Sequence, residues 1–258
     1  MLAALTISPR EGLACAGLIE RLAAEAAALA AAEPLLAGTV APLLASDGDL
    51  LSILAWQLAG QLAGEAVSHS QLQALFSEVL NAAPGLTAIV VQDFDAALER
   101  DPASESALQI LLHMKGFQAL QSHRIANALW LRGRRSLALH LQAVSSRVFG
   151  VDIHPAAHIG AGIMLDHATG IVIGETSVVG DGVSIFQNVT LGGTGKARGD
   201  RHPKIGPGAV LGAGAVLLGP IRVGAGAQIG AGSVVLRDIP DSATAVGIPA
   251  RVIDPRGG

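Results

Sequence analysis

Ile205-Gly206-Pro207-Gly208-Ala209-Val210-Leu211-Gly212-Ala213-Gly214-Ala215-Val216-Leu217-Leu218-Gly219-Pro220-Ile221-Arg222-Val223-Gly224 returns an aliphatic residue at every sixth position. The phase continues to Ile229 and Val235, and upstream it runs through Ile153, Ile159 and Leu165, then Ile173, Val179, Ile185 and Leu191. Glycine follows that aliphatic residue at Gly160, Gly174, Gly180, Gly192, Gly206, Gly212, Gly224 and Gly230, although after Leu217 it comes one place late, at Gly219. No helix has a six-residue period. A parallel β-helix does: the aliphatic side chain points inward and glycine permits the corner. Three hexads close one triangular coil, coils stack at the strand spacing of ~4.8 Å, and repeat counting gives roughly four to five coils. Periodicity leaves the handedness open.

Upstream of residue 150 the composition changes to Ala, Leu, Glu and Gln at helical spacing. Leu13 to Ala32 reads as a helix stopped by Pro34, and Asp49 to Gly64 as another with Asp49 as N-cap. Ser70 to Ala82 and Leu86 to Arg100 follow, parted by the turn signal Pro84-Gly85. Ser104 to Leu112, Phe117 to Trp130 and Ser136 to Val148 complete the set. The fold class is therefore α+β: a helical domain over 1–148, then a β-helix over 149–258. Alanine-rich faces such as Ala23 to Ala32 serve internal bundle packing or assembly with other chains.

The phase breaks twice. Leu165 and Ile173 are eight residues apart, so two extra residues enter just after Asp166-His167. Leu191 and Ile205 are fourteen apart, so an excursion, Ala197-Arg198-Gly199-Asp200-Arg201-His202-Pro203-Lys204, leaves the coil. A solenoid needs neither insertion for stability, and loops carry function. Both are read as parts of a site.

Composition limits what that site can be. Seventeen Lys and Arg against twenty-one Asp and Glu, a net charge of −4, offer no basic surplus for a general nucleic-acid binder. The single cysteine, Cys15, excludes an intramolecular disulfide and fits a reducing compartment. The N-terminus does not read as a signal peptide, and the most apolar window, Leu50 to Gly64, is too short to span a bilayer. A soluble cytoplasmic protein with no membrane or nucleic-acid partner is expected.

Several stretches together identify a resemblance. Asp152-Ile153-His154-Pro155-Ala156-Ala157, Met164-Leu165-Asp166-His167-Ala168-Thr169-Gly170, Gly174-Glu175-Thr176, Thr190-Leu191-Gly192-Gly193-Thr194-Gly195-Lys196 and Gly199-Asp200-Arg201-His202-Pro203-Lys204 resemble the motifs of the serine O-acetyltransferases. The likeness extends back through Lys115-Gly116-Phe117-Gln118-Ala119-Leu120-Gln121 and Arg100-Asp101-Pro102-Ala103. It implies a left-handed β-helix and an assembly as homotrimers or paired trimers. It also implies transfer of acetyl from acetyl-CoA to the hydroxyl of L-serine, in cysteine biosynthesis.

Residue chemistry agrees with that. A serine hydroxyl is a weak nucleophile near neutrality, so its acylation needs a base, and an imidazole titrates in the right range. His167 suits this role, where the alternative is a surface histidine on a coil corner. The resemblance implies that Asp152 orients His167. With an eighteen-residue coil the two fall on one side of the prism, not directly above one another, which permits the contact without proving it. It further implies that Asp101 and Asp166 hold the serine ammonium while Arg201 and His202 engage its carboxylate. Asp101, standing before Pro102, could equally be a helix N-cap, and Glu175 either belongs to the same shell or is a corner carboxylate in water. His154 and His158 read as structural or exposed. Gly193, Ala213 and Ala231 match positions that line acetyl-CoA, no metal is implied, and Arg198 adds a cation expected to favour CoA phosphates.

Cysteine, which can occupy the serine site, is the expected feedback inhibitor. The C-terminal Ile253-Asp254-Pro255-Arg256-Gly257-Gly258 lacks the terminal isoleucine with which relatives engage O-acetylserine sulfhydrylase, so that complex is not expected. Three rivals remain. A γ-class carbonic anhydrase needs three metal-binding histidines, and His154, His158 and His167 lack the spacing. A scaffold or ice-binding solenoid needs a uniform face, and an acetyltransferase for a sugar or antibiotic hydroxyl differs in its acceptor. Direct transfer through a ternary complex is expected, with Cys15 an unsuitable acyl carrier.

Overall fold

The computed structural model describes residues 9–45, 49–83, 85–195 and 198–253. The chain forms two compact units, Met1–Met114 and Lys115–Gly258.

In the first unit α1 (Pro9–Ala32) packs on α2 (Ala37–Ala45), α5 (Leu86–Arg100) and α6 (Ala107–His113), and α3 (Leu50–Leu62) packs on α4 (His69–Asn81). Asp49 caps α3 as its position predicts, its carboxylate accepting from the amides of Leu51 and Ser52. Ser68 and Gln71 close a capping box on α4. α6 starts later than the sequence suggests, because Ser106 caps it and Glu25 of α1 accepts from the amide of Leu108 at 2.7 Å. A carboxylate at a helix N-terminus satisfies an orphan donor and meets the positive end of the dipole. The sequence reading missed α2, which carries Pro42 inside it. Of the Pro84-Gly85 turn, Pro84 lies outside the described residues. Among the described residues no single helix is long and apolar enough to cross a membrane.

The second unit is a left-handed parallel β-helix on which α7 (Lys115–Leu131) and α8 (Arg135–Phe149) pack. The compositional change therefore falls at the α8 to β1 junction, whereas the packing boundary lies earlier, at Met114. The last two helices belong with the solenoid. α7 buries Gln118, Ser122, His123 and Arg124 along with its apolar residues. Arg124 Nη2 donates to Gly160 O at 2.9 Å and Asn127 Nδ2 to Pro155 O at 2.7 Å, so the helix satisfies carbonyls on the opening coil.

Strands of two to four residues form three faces. The first face stacks β1 (Asp152–Ile153), β4 (Val172–Ile173), β7 (Thr190–Gly192), β10 (Val216–Leu218) and β13 (Val234–Val235). The second stacks β2 (His158–Ile159), β5 (Val178–Val179), β8 (Lys204–Ile205) and β11 (Arg222–Val223). The third stacks β3 (Met164–Leu165), β6 (Ser184–Ile185), β9 (Val210–Leu211), β12 (Gln228–Ile229) and β14 (Thr244–Gly247), and β15 (Ala250–Ile253) closes it antiparallel to β14. The aliphatic hexad residues are in register: Ile153 on Ile173, Leu191, Leu217 and Val235, and Leu165 on Ile185, Leu211 and Ile229. A second inward position, two residues earlier, was not read from the sequence. It carries Ala157, Ile163, Ile171, Val183, Val189, Ala209, Ala215, Ala227 and Ser233, all buried. Alternation along a strand puts positions two apart on the same side, so each hexad contributes two core residues with an outward residue between them.

Candidate active site

Both phase breaks are accommodated without loss of register, and each shapes one edge of the prism. The return edge, where the third face turns into the first, carries Asp166-His167-Ala168-Thr169-Gly170 in the opening coil. His167 and Ala168 both adopt left-handed backbone, at φ 53° and 59°. Consecutive left-handed non-glycine residues are costly and cluster at functional sites. They persist because the turn is tied at its base: Thr169 N donates to His167 O at 2.8 Å, and Gly170 N to Gly150 O at 2.7 Å. The His167 ring projects outward, 75% exposed, with Nε2 4.0 Å from the Asp166 carboxylate. Farther along this edge Ala213 and Ala231 occupy successive coils, joined by Gly232 N donating to Ala213 O at 2.8 Å.

The forward edge, from first face to second, holds the other half. Gly174-Glu175-Thr176 lies in the second coil and the excursion in the third. Thr176 Oγ1 accepts from the backbone amides of Arg201 (3.0 Å) and His202 (3.1 Å), pinning the end of the loop. The amide of Thr176 donates to His202 Nδ1 at 3.1 Å. A backbone amide can only donate, so Nδ1 accepts and the ring proton sits on Nε2. Burial, then the Arg201 charge, hold His202 below the usual histidine range, so it is a neutral Nε2–H donor. Its ring lies on Gly174, where a Cβ would stand 2.1 Å from Cδ2 and Nε2. Gly-Glu-Thr is thus a cradle: glycine admits the ring, threonine anchors it, and Glu175 takes the neighbouring arginine.

Arg201 Nη2 donates to Glu175 Oε2 at 2.7 Å and Nη1 to Gly199 O at 3.1 Å. The hydrogen bond from Arg201 keeps Glu175 below the usual carboxylate range against the opposing effect of burial, and the charges of Arg201, His154 and His202 act in the same sense as the hydrogen bond. Gly193 abuts the Arg201 side chain, at 3.5 Å for a Cβ built on it. Lys204 joins Asp200 and the carbonyls of Thr176 and His202. Lys196 and Ala197 lie outside the described residues, and Arg198 is exposed.

Asp152 is the outward residue of β1 on the first face, and Gln142 Nε2 of α8 donates to its Oδ1 at 2.6 Å. The eighteen-residue coil assumed for Asp152 and His167 is twenty residues long here, Ile153 pairing with Ile173. His167 is consequently on the edge ahead of the first face, not on the face itself. Among the described residues no hydrogen bond or ion pair joins the two side chains within the chain.

The sequence takes His154 as structural or exposed. It lies at the forward edge, its Nδ1 accepting from the amide of Ala156 at 3.0 Å and its ring edge-on to Trp130, with centroids 5.2 Å apart. Burial lowers its pKa, while the charges of Glu175 and Asp152 act in the opposite sense. Asp152 and His154 flank the inward Ile153, and alternation sends both outward. Asp101, in the first unit, does not cap α6. It ends α5, and its carboxylate accepts from Ala103 N at 2.9 Å and Ser104 Oγ at 2.7 Å. His154, His158 and His167 fall on the forward edge, the second face and the return edge, and among the described residues no group of three acidic, histidine or cysteine side chains could hold a metal ion. Cys15 is half-buried, and burial followed by the Asp49 charge raises its thiol pKa, which disfavours the nucleophilic thiolate.

Comparison with known proteins gives the same reading. A sequence model described as "Serine acetyltransferase, N-terminal" matches residues 18–122, and the bacterial transferase hexapeptide repeat matches residues 202–237. A probable serine acetyltransferase 1 of Oryza sativa subsp. japonica is 53% identical over 92% of this chain and 78% of its own length, and the serine acetyltransferase of Salmonella typhimurium is 51% identical over 92% and 87%. Among solved structures, soybean serine acetyltransferase complexed with serine superposes with a TM-score of 0.91 at 48% identity, covering 95% of this chain and all of that one. The Brucella abortus serine acetyltransferase in complex with coenzyme A gives 0.90 at 44% identity, covering 92% and 95%. With its helical unit, its hexapeptide coil and both site motifs in place, the chain belongs to the serine acetyltransferase family.

Proposed function

We propose that this chain transfers acetyl from acetyl-CoA to the hydroxyl of L-serine, with His167 as general base. The observation that carries the reading is an exposed imidazole beside a carboxylate, held in strained backbone at a break in the repeat. His167 takes the proton from the serine hydroxyl as its oxygen attacks the thioester carbonyl. The tetrahedral intermediate then collapses, the C–S bond breaks, and the imidazolium returns the proton to the departing CoA thiolate. Asp152 orients the imidazole and stabilises its charged form, as a triad carboxylate does. No acetyl-enzyme is needed.

The zwitterionic acceptor needs both edges. Asp166 on the return edge suits its ammonium. Arg201 and the Nε2–H of His202 on the forward edge suit its carboxylate, which then shares Arg201 with Glu175. One chain carries these halves on different edges of its prism and leaves His167 open to solvent, which fits the homotrimer or paired trimers that the family resemblance implies, with neighbouring chains completing each site. Gly193, Ala213 and Ala231, small residues divided between the same two edges, would then line one groove for acetyl-CoA. Cysteine, with the same ammonium and carboxylate as serine, should occupy the acceptor site and inhibit.

Thiol release from acetyl-CoA, followed with and without serine, tests this. His167→Ala should lower serine-dependent turnover by about 10²–10⁴-fold, and cysteine should inhibit the wild type competitively against serine. Near-normal turnover in the variant overturns the base assignment, and an initial rate unmoved by saturating cysteine overturns the inhibition. Release driven by a sugar hydroxyl in place of serine would favour another acceptor.

A further inference from the structure

Gln142 lies on α8 and outside every stretch that carries the family resemblance, yet it makes the one direct side-chain hydrogen bond to Asp152 among the described residues, Nε2 to Oδ1 at 2.6 Å. A carboxylate on a two-residue strand can rotate about χ2 unless something holds it. The amide takes one oxygen and leaves the other for an imidazole. The strand beneath is fixed relative to the histidine turn, since Asp152 N donates to Ile171 O at 2.9 Å and Gly170 N to Gly150 O at 2.7 Å. Gln142 also borders a cavity of about 10 Å³ lined by His123, Ser145, Val151 and Ile153. Among the described residues the bond to Asp152 is the one hydrogen bond of its carboxamide, and it orients the amide.

We propose that Gln142 is a positioning residue for acetyl transfer: it holds the Asp152 carboxylate in the rotamer that presents its free oxygen to His167. The inference rests on the proposed role of Asp152. Because Gln142 touches neither substrate nor the reacting atoms, its loss should slow the chemical step and leave binding alone. Partners that orient metal-ligating side chains are worth about 10–100-fold, and the same scale is taken for an amide that orients this carboxylate.

The test is a double-mutant cycle on the full chain, with thiol release as readout. Gln142→Leu, nearly isosteric and placed beside the cavity, should lower kcat about tenfold or more, with the Michaelis constants of serine and acetyl-CoA within about twofold. Combined with Asp152→Asn it should add no further loss, because residues that act as a unit are not additive. A support of the fold alone would give additive losses. Gln142→Glu adds a pH signature: its rate relative to wild type should rise as pH falls from 8 to 5.5, as one of two facing carboxylates takes up a proton and becomes a donor. A wild-type kcat in Gln142→Leu beside a slow Asp152→Asn overturns the proposal alone, as do additive losses. A fully active Asp152→Asn overturns the reading of Asp152 and takes the proposal with it. If Gln142→Leu does not fold, the pH ratio of Gln142→Glu decides, and a flat ratio counts against the proposal.

Discussion

Gly174 and His167 show at the residue scale how backbone freedom becomes chemistry. At Gly174 the missing side chain matters more than the torsion: the His202 ring fills the space a Cβ would occupy. The ring cannot retreat without breaking its bond to the Thr176 amide, which also fixes its tautomer. Gly174→Ala should therefore raise the serine Michaelis constant about tenfold or more, the loss of one hydrogen bond to a charged group, while that of acetyl-CoA stays within about twofold; initial rates over both substrates check it. His167 reaches solvent through the opposite device, left-handed torsions forced on residues that carry side chains. The two-residue phase break marked the place in the sequence, but hexad counting could not give those torsions, since they come from the hydrogen bonds tying the turn to Gly150 and His167 O.

At the scale of the element, α7 is where sequence and structure part. Its helical pattern was legible, its allegiance was not. A helix whose buried set includes Gln118, Ser122, His123 and Arg124 shows no clean apolar stripe, because those polar groups serve the helix as a cover for the opening coil, where Arg124 and Asn127 meet carbonyls. The motif that begins it has a structural account too: Gly116 lets the helix approach β3 so closely that a Cβ would stand 2.0 Å from Leu165 O, and Lys115 hydrogen-bonds Thr169. Burial is also what sets His123 apart, lowering its pKa from 6.5 to about 3, with the Arg124 charge adding to it. The unfolded chain then binds more protons than the folded one between those values. Stability from this residue is full above about pH 6.5 and is lost as pH falls toward 3; the depressed His154 and His202 act in the same direction. Thermal melts should fall between pH 7.5 and 4.5, and the fall should be smaller in His123→Gln even if that variant melts lower at pH 7.5.

For the whole molecule, the solenoid was legible because each hexad repeats one local decision, inward aliphatic and permissive corner, so errors do not accumulate. The two stretches proposed to form the site were legible as departures from the repeat. How they meet was not, for spacing along one chain says nothing of neighbouring copies. If copies complete the site, dilution to where light scattering reports single chains should abolish serine-dependent thiol release, and activity should return with the assembly on reconcentration; single chains at full specific activity would overturn that arrangement. β15 bears on a hazard of the same architecture. A parallel coil ends in a strand whose amides and carbonyls are arranged as in every coil before it, an invitation to continue the stack with another molecule. By folding back from Gly247 and pairing Ala250 to Ile253 antiparallel with β14, the chain ends that series with a strand of the wrong polarity to be extended by a further coil. On this face the stack is thereby closed to a further parallel coil, whereas the first and second faces end in β13 and β11.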